Sequence, residues 1–113
     1  MKMNKIIFLL FLFSTYLFSA GMTAETNEVD CLVLKSENSI ICKYVNEKFE
    51  DDKFVRVEWI DPLGVTSRDR KVLMAKGHRS IYDFRYISGR IKGVWTFKAT
   101  DGENTYSTTF EIK

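Results

Sequence analysis

From Lys53 to the C-terminus, apolar and polar residues alternate in short runs, and a period of two suits a half-buried strand and little else. Val55, Val57 and Trp59 share a side against Arg56 and Glu58. Tyr82, Phe84 and Tyr86 share a side against Asp83 and Arg85, and Trp95 and Phe97 oppose Thr96 and Lys98. In the last run Tyr106, Phe110 and Ile112 oppose Thr105, Ser107, Thr109 and Glu111. Each bulky set, the aromatic stripe Tyr82/Phe84/Tyr86 included, is expected to face a core, with an edge ring such as Tyr44 or Tyr86 left for a contact.

Turn chemistry separates these runs. Asp61-Pro62-Leu63-Gly64 puts Asp first, Pro second and Gly fourth, the preferences of a type I turn. Lys76-Gly77-His78-Arg79 and Ser88 to Gly93 read as loops, and Asp101-Gly102 is a strong hairpin signal. As a two-residue turn, Asp101-Gly102 sets Phe97 opposite Tyr106 and Trp95 opposite Thr108. Strands are expected at about 31–35, 40–45, 53–60, 65–75, 80–87, 94–99 and 105–112, with no helical period between them. Short strands with turn signals every 8–12 residues describe a small antiparallel β-sandwich of about seven strands; a small β-barrel is the alternative.

The first two strands flank the chain's only cysteines. Cys31 precedes Leu32-Val33-Leu34, a polar stretch Lys35 to Ser39 follows, and Ile40-Ile41 leads to Cys42. A hairpin with a four-residue loop, Lys35 to Asn38, sets Cys31 opposite Cys42 and Val33 opposite Ile40, at a non-hydrogen-bonded position where side chains come closest. A disulfide is the expectation, contributing about 2–3 kcal/mol through loop closure. A redox pair would favour closer spacing, and zinc would need more ligands than two Cys and the lone His78 supply.

The N-terminus carries an address. Lys2 and Lys5 precede an apolar run, Ile6 to Phe13, that ends in small residues at Ser19, Ala20, Gly21 and Ala24. These are the parts of a secretory signal peptide, residues 1–21, with cleavage after Gly21 or as late as Ala24. The alternative is an uncleaved anchor, since residues 6 to 24 carry no charge. Residues 22–30 then form a flexible lead-in and 31–113 a single domain, periplasmic or secreted, with no transmembrane segment once the signal is removed. An oxidising compartment also licenses the disulfide.

Cleavage removes the apparent basic character. The chain has 17 Lys and Arg against 15 Asp and Glu, and Lys2 and Lys5 leave with the signal, so the mature net charge is zero. That gives no reason to expect nucleic acid as a partner. The distribution is uneven: residues 25–65 sum to −5, residues 66–100 to +7 and the last thirteen to −2. Arg68, Arg70, Lys71, Lys76, Arg79, Arg90 and Lys92 form a basic patch if the loops and the strand converge. Such a patch suits an acidic protein or an anionic envelope polymer, unless the acidic first half neutralises it.

The segments Val57-Glu58-Trp59-Ile60-Asp61-Pro62-Leu63-Gly64, Tyr82-Asp83-Phe84 and Gly93-Val94-Trp95-Thr96-Phe97 resemble bacterial envelope domains of immunoglobulin-like fold. The resemblance covers about residues 53–113 and implies an immunoglobulin-like sandwich. The neighbouring cysteines depart from antibody-type domains, whose disulfide joins two sheets. Only the fold carries over; no functional residue does.

No catalytic constellation is legible. The one histidine, His78, sits in a basic loop without a nucleophile motif, and Glu50, Asp51, Asp52 and Glu58 fall on loop or outward positions. The expectation is therefore no enzyme and no cofactor. The chain reads as an exported accessory domain that binds a protein or an anionic envelope component. The alternative is a secreted inhibitor of a muramidase or protease, presenting the Lys76–Ser80 or Arg90–Gly93 loop to a target cleft.

Overall fold

The computed structural model of the protein describes residues 27–46 and 51–113. The expected export signal lies outside these residues, as do residues 47–50. The elements are β1 (Asn27–Leu34), a single 3-10 turn (Lys35–Glu37), β2 (Ser39–Asn46), β3 (Lys53–Ile60), β4 (Thr66–Met74), β5 (Ser80–Tyr86), β6 (Gly93–Asp101) and β7 (Asn104–Ile112). β1 begins four residues before the expected Cys31 start, so residues 27–30 of the expected lead-in are strand.

The strands form two separate antiparallel sheets, one ordered β1-β2-β5 and the other β4-β3-β6-β7. The fold is an all-β sandwich, not the closed barrel. Alternate residues from both sheets meet in the middle: Ile40, Cys42 and Tyr44 from β2, Val55, Val57 and Trp59 from β3, Trp95, Phe97 and Ala99 from β6, and Phe110 and Ile112 from β7. Trp59 is fully buried, with the Phe97 and Phe110 rings edge-on to it at 5.5 and 5.7 Å. Such edge-to-face packing matches the ring quadrupoles.

The first hairpin has the expected register. Cys31 pairs with Cys42 and Val33 with Ile40, and the two cysteines form a disulfide with their Cα atoms 4.0 Å apart. Asn38 closes the turn in the left-handed region, at φ 53° and ψ 39°, a conformation that Asn tolerates better than most residues. Its backbone and side chain then bind the loop after β5: Ile87 N–H donates to Asn38 O, Ser88 N–H to Asn38 Oδ1, and Asn38 Nδ2 to Ser88 Oγ.

The turn after β3 is also as expected. Gly64 N–H donates to Asp61 O, and Asp61 Oδ1 accepts from the Leu63 and Val65 amides. Pro62 of this turn lies against Gly93, where an added Cβ would sit 2.8 Å from Pro62 Cγ. With φ at 131° as well, only glycine fits there.

The last hairpin differs by two residues. Asp101 pairs with Asn104, so Gly102-Glu103 is the two-residue turn, Phe97 faces Thr108 and Trp95 faces Phe110. Gly102 has φ 65° and Glu103 has no positive φ, which fits a turn requiring glycine first rather than two left-handed residues. Asp101 is held in the strand by what its carboxylate binds. Oδ2 accepts from Tyr44 Oη at 2.6 Å, Asn46 Nδ2 at 2.9 Å and Lys53 Nζ at 3.0 Å. One carboxylate thereby ties β2 and β3 to the β6–β7 hairpin. A shift of two preserves the alternation, so Tyr106, Phe110 and Ile112 still point inward.

Candidate functional site: the outer face of the three-stranded sheet

β5 faces the opposite way from the sequence expectation. Tyr82, Phe84 and Tyr86 point outward at 59%, 43% and 58% exposure, while Ile81 and Asp83 are buried. The register with β2 gives the reason. β2 commits Ile40, Cys42 and Tyr44 to the core, and their direct partners on β5 are Arg85, Asp83 and Ile81. Directly paired residues share a face, so the aromatic set has only the outer side available. Of the two edge-contact candidates, Tyr86 is exposed and Tyr44 is wholly buried.

Asp83 fills an inward position because the interior there needs an acceptor. The Trp59 indole N–H donates to Asp83 Oδ2 at 2.7 Å. Arg68 Nη1 lies 3.1 Å and Arg70 Nη1 3.5 Å from Asp83 Oδ1. Arg85 lies over the Trp59 ring, its guanidinium carbon 5.3 Å from the centroid. A buried indole usually finds a hydrogen-bond acceptor, and a buried carboxylate survives only when paired.

The outer face of the β1-β2-β5 sheet is consequently apolar. Its rows, read across the strands, are Asp30–Lys43–Tyr82, Leu32–Ile41–Phe84 and Leu34–Ser39–Tyr86. Leu32 is 57% exposed, and the Phe84 and Tyr86 rings meet edge to face at 5.1 Å. A shallow depression of about 280 Å³ lies among Asp30, Cys31, Leu32, Ile41, Lys43 and Tyr82. Together these side chains expose on the order of a few hundred Å² of apolar surface, the size at which patches mark interaction sites. Rigid rings with hydroxyl tips bury much area for little lost rotamer freedom, which suits them to a contact surface.

Arginines guard the free edge of β5. Arg68 Nη1 donates to Phe84 O at 3.4 Å, and Arg90 Nε donates to Tyr86 O at 3.3 Å. Charged groups over the carbonyls of an edge strand block its pairing with another chain. Arg85 Nη1 donates to Ser67 Oγ at 3.1 Å, whereas Arg85 Nε is buried with no hydrogen-bond partner among the described residues. Burial and the Arg90 and Arg68 charges push the Arg85 guanidinium below its ordinary value, with Asp83 opposing them.

The seven residues of the expected basic patch fall in four places. Arg68 and Arg70 point inward from β4 onto Asp83, and Arg90 joins them at the β5 edge. Lys71 stands on the opposite face of β4, across the strands from Arg56. Lys76 and Arg79 lie in the loop before β5, and Arg90 and Lys92 in the loop after it. A seven-residue strand separates those loops, roughly 20 Å at the rise of a strand. The Lys76–Ser80 and Arg90–Gly93 loops therefore sit at opposite ends of the sandwich.

Sequence reasoning missed the outward rings and the inward Asp83. The signal for Asp83 was present: residues 66–100 hold only two acids, Asp69 and Asp83, among nine bases, while Trp59 needs an acceptor. No protein-family model matches the chain, and neither a curated protein nor a solved structure shows significant similarity to it.

Proposed function

We propose that this chain is an exported, non-catalytic interaction domain of the periplasm or cell surface that holds a protein partner on the outer face of its β1-β2-β5 sheet. The observation that carries the reading is the joint exposure of Leu32, Tyr82, Phe84 and Tyr86 on that face. Tyrosine and other aromatics are enriched where interfaces draw their binding energy. The Cys31–Cys42 bridge supports export, since such bonds persist in oxidising compartments. The Lys2/Lys5 and Ile6–Phe13 pattern supports it independently. Among the described residues no helix is long and apolar enough to cross a membrane.

The test is affinity capture from an envelope fraction, followed by titration of the purified captured protein against three forms of the domain. The Tyr82→Ser/Phe84→Ser form should lose about 30-fold or more in affinity, the scale of a disrupted hot spot. Thr96→Ala/Thr109→Ala, on the outer face of the other sheet, should leave affinity unchanged. Equal losses in both forms, or no specific capture at low and physiological salt, would refute the reading.

A further inference from the structure

The rings and the arginines are two sides of one strand. Arg68 and Arg90 hold the carbonyls of Phe84 and Tyr86, whose side chains stand on the outer face. Around Asp83 the arginines outnumber the acids. Arg68 and Arg70 both reach its Oδ1, and Arg85 feels Arg90 and Arg68 as repelling charges against Asp83 alone as an attracting one. The remaining acid of this stretch, Asp69, is taken by Arg56 on the far side of β4, through Nε at 2.9 Å and Nη2 at 2.7 Å. One carboxylate cannot saturate three guanidinium forks, each with five donors. Arg85 Nε is already a buried donor without a partner among the described residues, and such groups call for an explanation.

We infer that the Arg68–Arg70–Arg85–Arg90 cluster is a carboxylate-binding site, and that it takes acidic side chains of the protein segment that covers the neighbouring rings. This rests on the reading of the outer face as a docking surface and specifies the partner's chemistry: apolar side chains flanked by Asp or Glu. Guanidinium groups receive carboxylates in paired, directional hydrogen bonds, and their arrangement along β5 fixes the orientation in which the segment lies. Half-exposed Arg70 is open to such a group, its side chain 50% accessible even while it contacts Asp83.

The arginine Nε–Hε signals of the full domain report on this directly in an NMR titration. The probe is a capped tetra-aspartate peptide at constant ionic strength, with inorganic sulfate as a second probe. Saturable shifts at Arg68, Arg70, Arg85 and Arg90, with Arg79 at the other end unmoved, are expected. Arg90→Gln, which leaves the Asp83 contacts alone, should weaken the peptide about tenfold, and Tyr82→Ser/Phe84→Ser should leave this short probe binding as before. Uniform, non-saturating shifts across all arginines would overturn the inference, as would saturation by sulfate without saturation by the peptide. Saturable arginine shifts together with unchanged partner capture by the ring variant would mean that the docking face fails and this site stands; loss of capture by the ring variant without saturable shifts in the unsubstituted domain would mean that this site fails and the docking face stands.

Discussion

The two sheets turn very different outer faces to solvent. On the four-stranded sheet, Arg56, Glu58, Asp69, Lys71 and Lys98 stand among Thr96, Thr100, Thr105, Ser107 and Thr109, and Arg56 bridges Asp69 and Glu58. The apolar exceptions are Ile60, Val94 and the cross-strand pair Phe54–Leu73. On the three-stranded sheet, Leu32, Ile41, Phe84 and Tyr86 occupy adjoining rows, and Asp30 and Lys43 stand beside Tyr82 in the next. Both faces belong to one sandwich with one core, so folding does not require the difference. An outer face that stability does not need to be apolar is apolar for another reason, and docking is the reason we assign.

That contrast can be broken most forcefully from the inside. Asp83→Ala leaves the Trp59 indole without its acceptor and Arg68 without its counter-charge in the interior, and should cost about 3–5 kcal/mol in urea unfolding. Asp83→Asn, which keeps an acceptor for Trp59, should recover part of the loss. A cost under about 1 kcal/mol would mean that β5 does not point Asp83 inward.

Next in size is the disulfide beneath the apolar face. Cys31→Ala/Cys42→Ala should lower stability by about 2–3 kcal/mol with the urea m-value largely retained.

The Asp101 junction follows, and it is sensitive to pH. Burial pushes the Asp101 carboxyl up, but the hydrogen bonds from Tyr44, Lys53 and Asn46 outweigh it and hold the group below its ordinary value. A depressed carboxyl contributes stability that is present above its unfolded pKa of about 3.9 and is lost as pH falls through the lower folded value. Asp101→Asn should therefore cost about 1 kcal/mol at neutral pH and flatten the fall in stability below about pH 4. Urea midpoints measured from pH 7 to pH 2 check this, and an unchanged acid limb would contradict it.

The smallest effects on stability sharpen the contrast between faces. Tyr82→Ser should change stability by no more than about 0.5 kcal/mol while weakening partner binding, because its ring is largely exposed. Arg56→Ala on the other sheet should change binding not at all.

Strand placement was legible because turn chemistry and alternation are local. β3 runs over the residues its pattern predicts, and Cys31 meets Cys42 because the length of one loop fixes that register. The facing of β5 was not legible. Alternation says that two sides differ, and hydrophobicity normally says which is inside; here the inside position serves an indole and two arginines that arrive from β3 and β4. The two-residue slip at Asp101 has the same origin, since its anchors lie on β2 and β3. The basic block was visible as composition, yet its division between a cluster on Asp83 and loops at both ends depends on where sheet edges fall. In each case the missing information is a contact between segments distant in sequence.

Photo-crosslinking from two positions decides whether a partner docks on the outer face of the β1-β2-β5 sheet. A benzophenone side chain replaces Tyr82 on the apolar face or Thr109 on the charged one, and the protein is irradiated in the cells that make it. One discrete adduct is expected from position 82, abolished by Phe84→Ser, and none from position 109. The absence of an adduct at position 82, or the same adduct from both positions, would contradict docking on that face.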